Sequence, residues 1–216
     1  MCTLGSALRY VSVVALFVIH GGSMAQVNEV TCGPINLAGQ VGPFDYRTAA
    51  PDVKRQVEGV HFTPDVEALR RGGTTSISGD LDYTLRILPN NYRALNSLAK
   101  LRFRENKDRL QGMHWPVECY FERAVRYAPD DPMVRQVYGY YLVRMGRKQE
   151  ALAQIETASS LGVNSANLHY NLGLLYFEVG EFDKSMEHAW KAYQAGYDLP
   201  GLKAKLKAAG KWKEPS

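Results

Sequence analysis

Imidazole is the side chain best suited to moving protons or holding a metal near neutral pH, and four histidines lie beyond residue 25: His61, His114, His169 and His188. A zinc site needs three or four such ligands at short spacings, and these four are scattered singly. The segment "MEHAW" around His188 lacks the second histidine of a zinc-protease helix. No glycine-rich phosphate loop and no G-x-S-x-G nucleophile elbow occurs. Asp45, Asp80 and Asp82 read as exposed acids of loops or helix starts. The expectation is therefore no metal, no other cofactor and no catalytic residue, with an enzyme ranking third among the functions considered. Catalytic groups meet in space rather than in sequence, so this expectation rests on motifs alone.

The elements that would position these side chains are helices. In "YNLGLLYFEVGEFDKSMEHAWKAY", Leu172, Tyr176 and Phe177 recur at three- and four-residue steps, Gly180 interrupts, and Phe182, Met186, Ala189 and Tyr193 resume the period. Two amphipathic helices thus meet at a glycine turn. Sliding back about 34 residues places Tyr138, Gly139 and Leu142 under Leu172, Gly173 and Tyr176. The same shift places Gly146 under Gly180, and Ala151, Ile155 and Ala158 under Ser185, Ala189 and Ala192. A hairpin this short cannot bury both apolar faces alone, so a fixed period predicts stacked neighbours.

On these residues the chain resembles the tetratricopeptide repeat family, whose unit is helix, turn, helix. The resemblance spans units 92–131, 132–165 and 166–199, preceded by a half unit at 76–91, "GDLDYTLRILPNN". The unit 92–131 keeps "CYFERAVRYAPDD", with Phe121 and Ala124, but departs from the family where extra residues in "RENKDRLQGMHW" lengthen its turn. Small residues at Ala99, Gly139 and Gly173 would let helix backbones approach, with Ala158, Tyr176 and Ala192 as further packing positions. The fold expected is all-α, a right-handed tetratricopeptide-type solenoid of about three repeats. "GPFDYR", "HFTPDVEAL" and "GDLDYTLRILPN" also resemble an N-terminal signature of exported bacterial repeat proteins.

In this family the first helix of each unit lines the concave face. The resemblance thus implies a groove formed by Arg93, Asn96, Lys100, Phe103 and Arg104, then Gln136, Tyr140 and Arg144, then Tyr170, Leu174 and Phe177. Such a groove, basic at one end and aromatic at the other, suits a peptide segment with acidic and apolar side chains. The cationic clamp known in some family members is not reproduced. The function expected is a protein-interaction adaptor in a bacterial cell-envelope assembly. The alternative is an accessory protein of polysaccharide or peptidoglycan machinery, with Trp115, Tyr140, Tyr170 and Phe177 stacking on sugars.

The N-terminus predicts export. Arg9 precedes a mostly apolar run, Tyr10 to Ile19, followed by "SMA" before Gln26, a pattern that predicts signal cleavage after Ala25 and a periplasmic chain. The run is short for a bilayer span; a retained signal anchor in the inner membrane is the alternative. Cys32 and Cys119 then remain in an oxidising compartment, where an even count favours a disulfide over two buried thiols. Residues 26–75 read as an irregular capping segment with Phe44 and Tyr46 as anchors and one short helix at "FTPDVEALRRGG". Residues 200–216 read as a terminal capping helix and tail, with Leu202, Leu206 and Ala209 facing inward and lysines elsewhere. The formal net charge of +4, concentrated in that lysine cluster, argues for solubility of the last helix rather than for a nucleic-acid partner.

Overall fold

The computed structural model describes residues 32–37, 39–162 and 165–214; the expected leader, 1–25, lies outside them. Among the described residues there are ten helices and no strand: α1 (Pro51–Val60), α2 (Pro64–Glu67), α3 (Ile77–Ile87), α4 (Tyr92–Glu105), α5 (Val117–Tyr127), α6 (Pro132–Arg144), α7 (Lys148–Ser160), α8 (Ala166–Val179), α9 (Phe182–Gln194) and α10 (Gly201–Ala208). None of these is long and apolar enough to cross a membrane.

Helix starts follow from side chains that can accept an orphan backbone N–H. Thr63 caps α2, Ser76 caps α3, Asn91 caps α4 and Ser165 caps α8, while Asp131 accepts from both Met133 and Val134 at the start of α6. Gly180, at φ 97°, closes α8 in a left-handed conformation that a side chain would resist.

The helices form two layers. In one, α2 packs on α4, α4 on α6, α6 on α8 and α8 on α10; in the other, α3, α5, α7 and α9 each pack against their neighbours of the first layer. Ala99, Phe121, Ala124, Gly139, Ala158, Gly173, Tyr176 and Ala192 are all buried between the layers. At Gly173 the approach is closest: a Cβ there would lie 2.5 Å from Leu202 Cδ2 and 3.2 Å from the Ser185 carbonyl. The main core runs from Phe62 to Tyr176, and a second cluster joins α8, α9 and α10 through Tyr170, Met186, Leu202 and Leu206.

Two expectations change at the ends. Residues 51–60, which show no sustained helical period in the sequence, form α1; its interior buries only Val57, so a periodic stripe never develops. Ala209 is exposed, because α10 ends at Ala208 and only Leu202 and Leu206 turn inward.

The N-terminal segment is fastened at three points. Cys32 and Cys119 form a disulfide across a sequence separation of 87, with Cα atoms 5.0 Å apart. Beside it the buried Arg123 guanidinium donates to the carbonyls of Cys32, Pro34 and Ile35 and lies 3.7 Å from the Trp115 ring. Burial, then the charge of Arg126, lowers the Arg123 pKa to about 10. Further on, "GPFDYR" docks on the turn after α3: Phe44 N–H donates to the Ile87 carbonyl at 2.8 Å and Tyr46 N–H to Asn90 Oδ1 at 2.7 Å. Asn90 in turn donates to Asp45 and Asp131, so one buried carboxamide joins the segment to α3 and α6. Phe44 and Tyr46 pack with Val57, Ile87 and Leu88.

Candidate functional site

Successive stacking of α4, α6 and α8 leaves a cavity of about 400 Å³ along that layer. A residue reaches it only from the face opposite its own hairpin partner, which selects every third or fourth position of each helix. From α4 these are Tyr92, Arg93, Asn96 and Lys100, from α6 Met133, Gln136, Val137 and Tyr140, and from α8 Asn167, Asn171, Leu174 and Leu175. Glu67 of α2 closes one end.

Six residues predicted from sequence meet there: Arg93, Asn96, Lys100, Gln136, Tyr140 and Leu174. Phe103 and Arg144 adjoin through Tyr140, since the Arg144 guanidinium sits 4.3 Å from the Phe103 ring and donates to the Tyr140 hydroxyl at 2.9 Å. Arg104 is exposed and turned away, donating to the Leu69 carbonyl at 2.7 Å.

Tyr170 and Phe177, expected at the aromatic end of the groove, are not among the residues that line this cavity. Tyr170 is buried beneath α10, where its hydroxyl accepts from Leu202 N–H at 3.2 Å, and its ring contacts Tyr193 and Tyr197. Phe177 packs against Phe182 and lies 5.2 Å from Lys205 Nζ. A terminal helix continues the layer and covers what an internal unit would present. Trp115, Tyr140, Tyr170 and Phe177, the rings proposed for sugar stacking, therefore occupy separate surroundings.

The basic end is also modified. Arg93 Nε donates to Glu67 at 2.9 Å, and a second nitrogen reaches Glu58 at 3.4 Å. The Glu67 pair raises its pKa further, against the opposing effect of burial. Its charge is thus balanced by the chain's own acids. What the cavity offers is a row of carboxamides, Asn96, Gln136, Asn167 and Asn171, over an apolar floor of Met133, Val137, Leu174 and Leu175. Asn171 Nδ2 already donates to Asn167 Oδ1 at 2.6 Å, so the two amides are oriented by each other.

No protein-family model matches the chain, and no curated protein does.

Asp80 and Asp82, expected to be exposed, are buried in α3. Burial alone would raise the Asp80 carboxyl, but donors from Thr74, His61 and the Gly73 and Thr74 backbone hold it below the ordinary carboxylate range. His61 Nδ1 lies 3.0 Å from Asp80, and its ring stacks on Tyr83 at 3.9 Å. Asp82 accepts from Arg86 at 2.9 Å, from His114 N–H at 3.0 Å and from the Tyr120 hydroxyl, and it lies 2.9 Å from His114 Nδ1. Burial, then the Asp82 charge, raises Tyr120 far above a free phenol. These carboxylates tie α3 to the loop before it and to the long loop between α4 and α5. Among the described residues no group of three or more His, Cys, Asp or Glu could hold a metal ion.

Proposed function

We propose that this chain is an exported, periplasmic tetratricopeptide-type solenoid that acts as a protein-interaction adaptor, holding an extended partner segment in the cavity formed by α4, α6 and α8. The observation that carries the reading is the carboxamide row. Asn96, Gln136, Asn167 and Asn171 come from three successive helices of one layer and line one cavity. A carboxamide supplies donor and acceptor side by side, matching the alternating N–H and C=O of a peptide backbone. The apolar floor accommodates one face of an extended segment, whose side chains alternate. Because Arg93 is balanced by Glu67 and Glu58, recognition is of backbone and apolar side chains, with Lys100 and Arg144 orienting acidic groups at the margin. The disulfide supports export, since such bonds persist in oxidising compartments.

The test is a screen of displayed linear peptides against the folded protein, followed by calorimetry on the peptides retained. Replacing Asn96, Gln136 and Asn171 together by alanine removes several hydrogen bonds of about 0.5–1.5 kcal/mol each, so affinity falls by roughly ten- to a hundredfold. Unchanged affinity in a variant with wild-type circular dichroism would place the peptide elsewhere and defeat the proposal.

A further inference from the structure

Independently of the cavity along α4, α6 and α8, we propose that the C-terminal end carries a binding site for a neutral pyranose unit of a glycan, built on Trp190, Tyr193, Tyr197 and Trp212. These four rings, half-buried, line a second cavity of about 380 Å³, within the usual range of small-molecule sites, about 300–1,000 Å³. Trp212 stands nearly perpendicular to Trp190 and Tyr193, at 77° and 71°, with centroids 6.5 and 6.2 Å away. The rings therefore form a corner, whose flat walls suit the C–H faces of a sugar ring. Gln194, Asp198, Lys203 and Glu214 supply the polar lining.

Three classes of ligand favour aromatic walls, and the hydrogen-bond inventory separates them. A proline-rich peptide needs donors for its carbonyls, and three of the four ring donors here are spent internally. Trp190 Nε1 donates to the Lys213 carbonyl at 3.1 Å, Trp212 Nε1 to Glu214 at 3.0 Å, and the Tyr193 hydroxyl to the Leu199 carbonyl at 3.0 Å. A quaternary ammonium needs an open ring face beside an acid. Here Lys203 Nζ already lies 4.7 Å from the Trp212 centroid and 3.4 Å from Glu214, so the chain supplies its own cation. What remains is a carboxylate at Asp198, a carboxamide at Gln194, the Tyr197 hydroxyl and the further acceptor positions of Glu214, a set in which acceptors outnumber donors. Carboxylates only accept, and a sugar is the ligand rich in hydroxyl donors. With Lys203 balancing Glu214, the sugar need carry no charge.

The experiment titrates the full folded protein with cellotetraose, chitotetraose and maltotetraose, following tryptophan fluorescence and calorimetric heat. A decameric proline peptide and tetramethylammonium are titrated in parallel. Saturable binding of at least one oligosaccharide is expected, weakened about tenfold or more by Trp212→Ala. Asp198→Asn, a surface change that leaves the packing in place, is expected to weaken it several-fold, keeping the test valid if Trp212→Ala loosens the C-terminus. Failure of all three sugars at millimolar concentration, or unaltered binding in Asp198→Asn and Trp212→Ala alike, overturns the proposal. Saturation by the peptide or by tetramethylammonium alone overturns it in favour of that ligand class.

Discussion

His188 is a titratable side chain set between helices, where its surroundings decide its charge. It is buried, its Nε2 lies 3.1 Å from the Ser159 hydroxyl, and its Nδ1 lies 3.1 Å from His169 Nδ1. Burial, then the neighbouring His169 and Lys191, lowers its pKa from 6.5 to about 4. The unfolded chain therefore takes up this proton first as pH falls. Its contribution to stability is complete above about pH 6.5 and is lost down to about pH 4, on the order of 3 kcal/mol over that window. Chemical denaturation across this range should show the slope, and His188→Gln should flatten it. Asp82→Ala is expected to cost about 3–5 kcal/mol by leaving Arg86, Tyr120 and His114 without their common acceptor, read from the denaturation midpoint. Neither node was legible in the sequence. Tyr120 and His114 stand 38 and 32 residues from Asp82, and nothing local to "GDLDYT" announces them.

At the scale of helices the sequence was far more informative, because a glycine at a crossing is a local signal repeated at a fixed period. Gly139 and Gly173 mark where α6 and α8 meet their partners, and both are buried there. The two sites differ in what a methyl group would meet. At Gly139 the obstacle is Ile155 Cγ1 at 2.9 Å; at Gly173 it is Leu202 of α10 together with the Ser185 carbonyl. Gly173→Ala is therefore expected to cost about 1–3 kcal/mol despite the better helix propensity of alanine. The loss should appear first as faster proteolysis near α10. The helix α1 escaped the sequence reading for the opposite reason, since one buried valine makes no pattern. The seating of α10 over Tyr170 escaped it too: a repeat register says where an internal unit faces, and not what covers the last one.

For the whole molecule, the layer from α2 to α10 carries the cavity proposed for the partner segment, and the N-terminal segment is fastened across the other layer at α5. Reducing the disulfide, or replacing both Cys32 and Cys119 by serine, releases a loop whose closure is worth about 4–5 kcal/mol by chain entropy. Guanidinium melts with and without reductant should differ by that amount, while the carboxamide cavity, which neither cysteine lines, keeps its affinity for a peptide selected on it. The six residues that line the cavity were expected from the repeat resemblance, which assigns the first helix of each unit to one face, together with helical period and unit length. Placing the aromatic corner at Trp190 and Trp212 required knowing that the chain after α10 folds back toward α9, shown by the bond from Trp190 to Lys213.

The same bridge gives the molecule a mechanical character. A pull applied at Cys32 passes through sulfur straight to Cys119, so everything between carries no load until the bond is reduced. In a force spectrometer the oxidised chain should extend short of the reduced one by roughly 300 Å, the contour length of a shielded stretch with a sequence separation of 87. Wired in this way, the chain keeps α1 to α4, and with them one wall of the cavity along α4, α6 and α8, out of the line of tension.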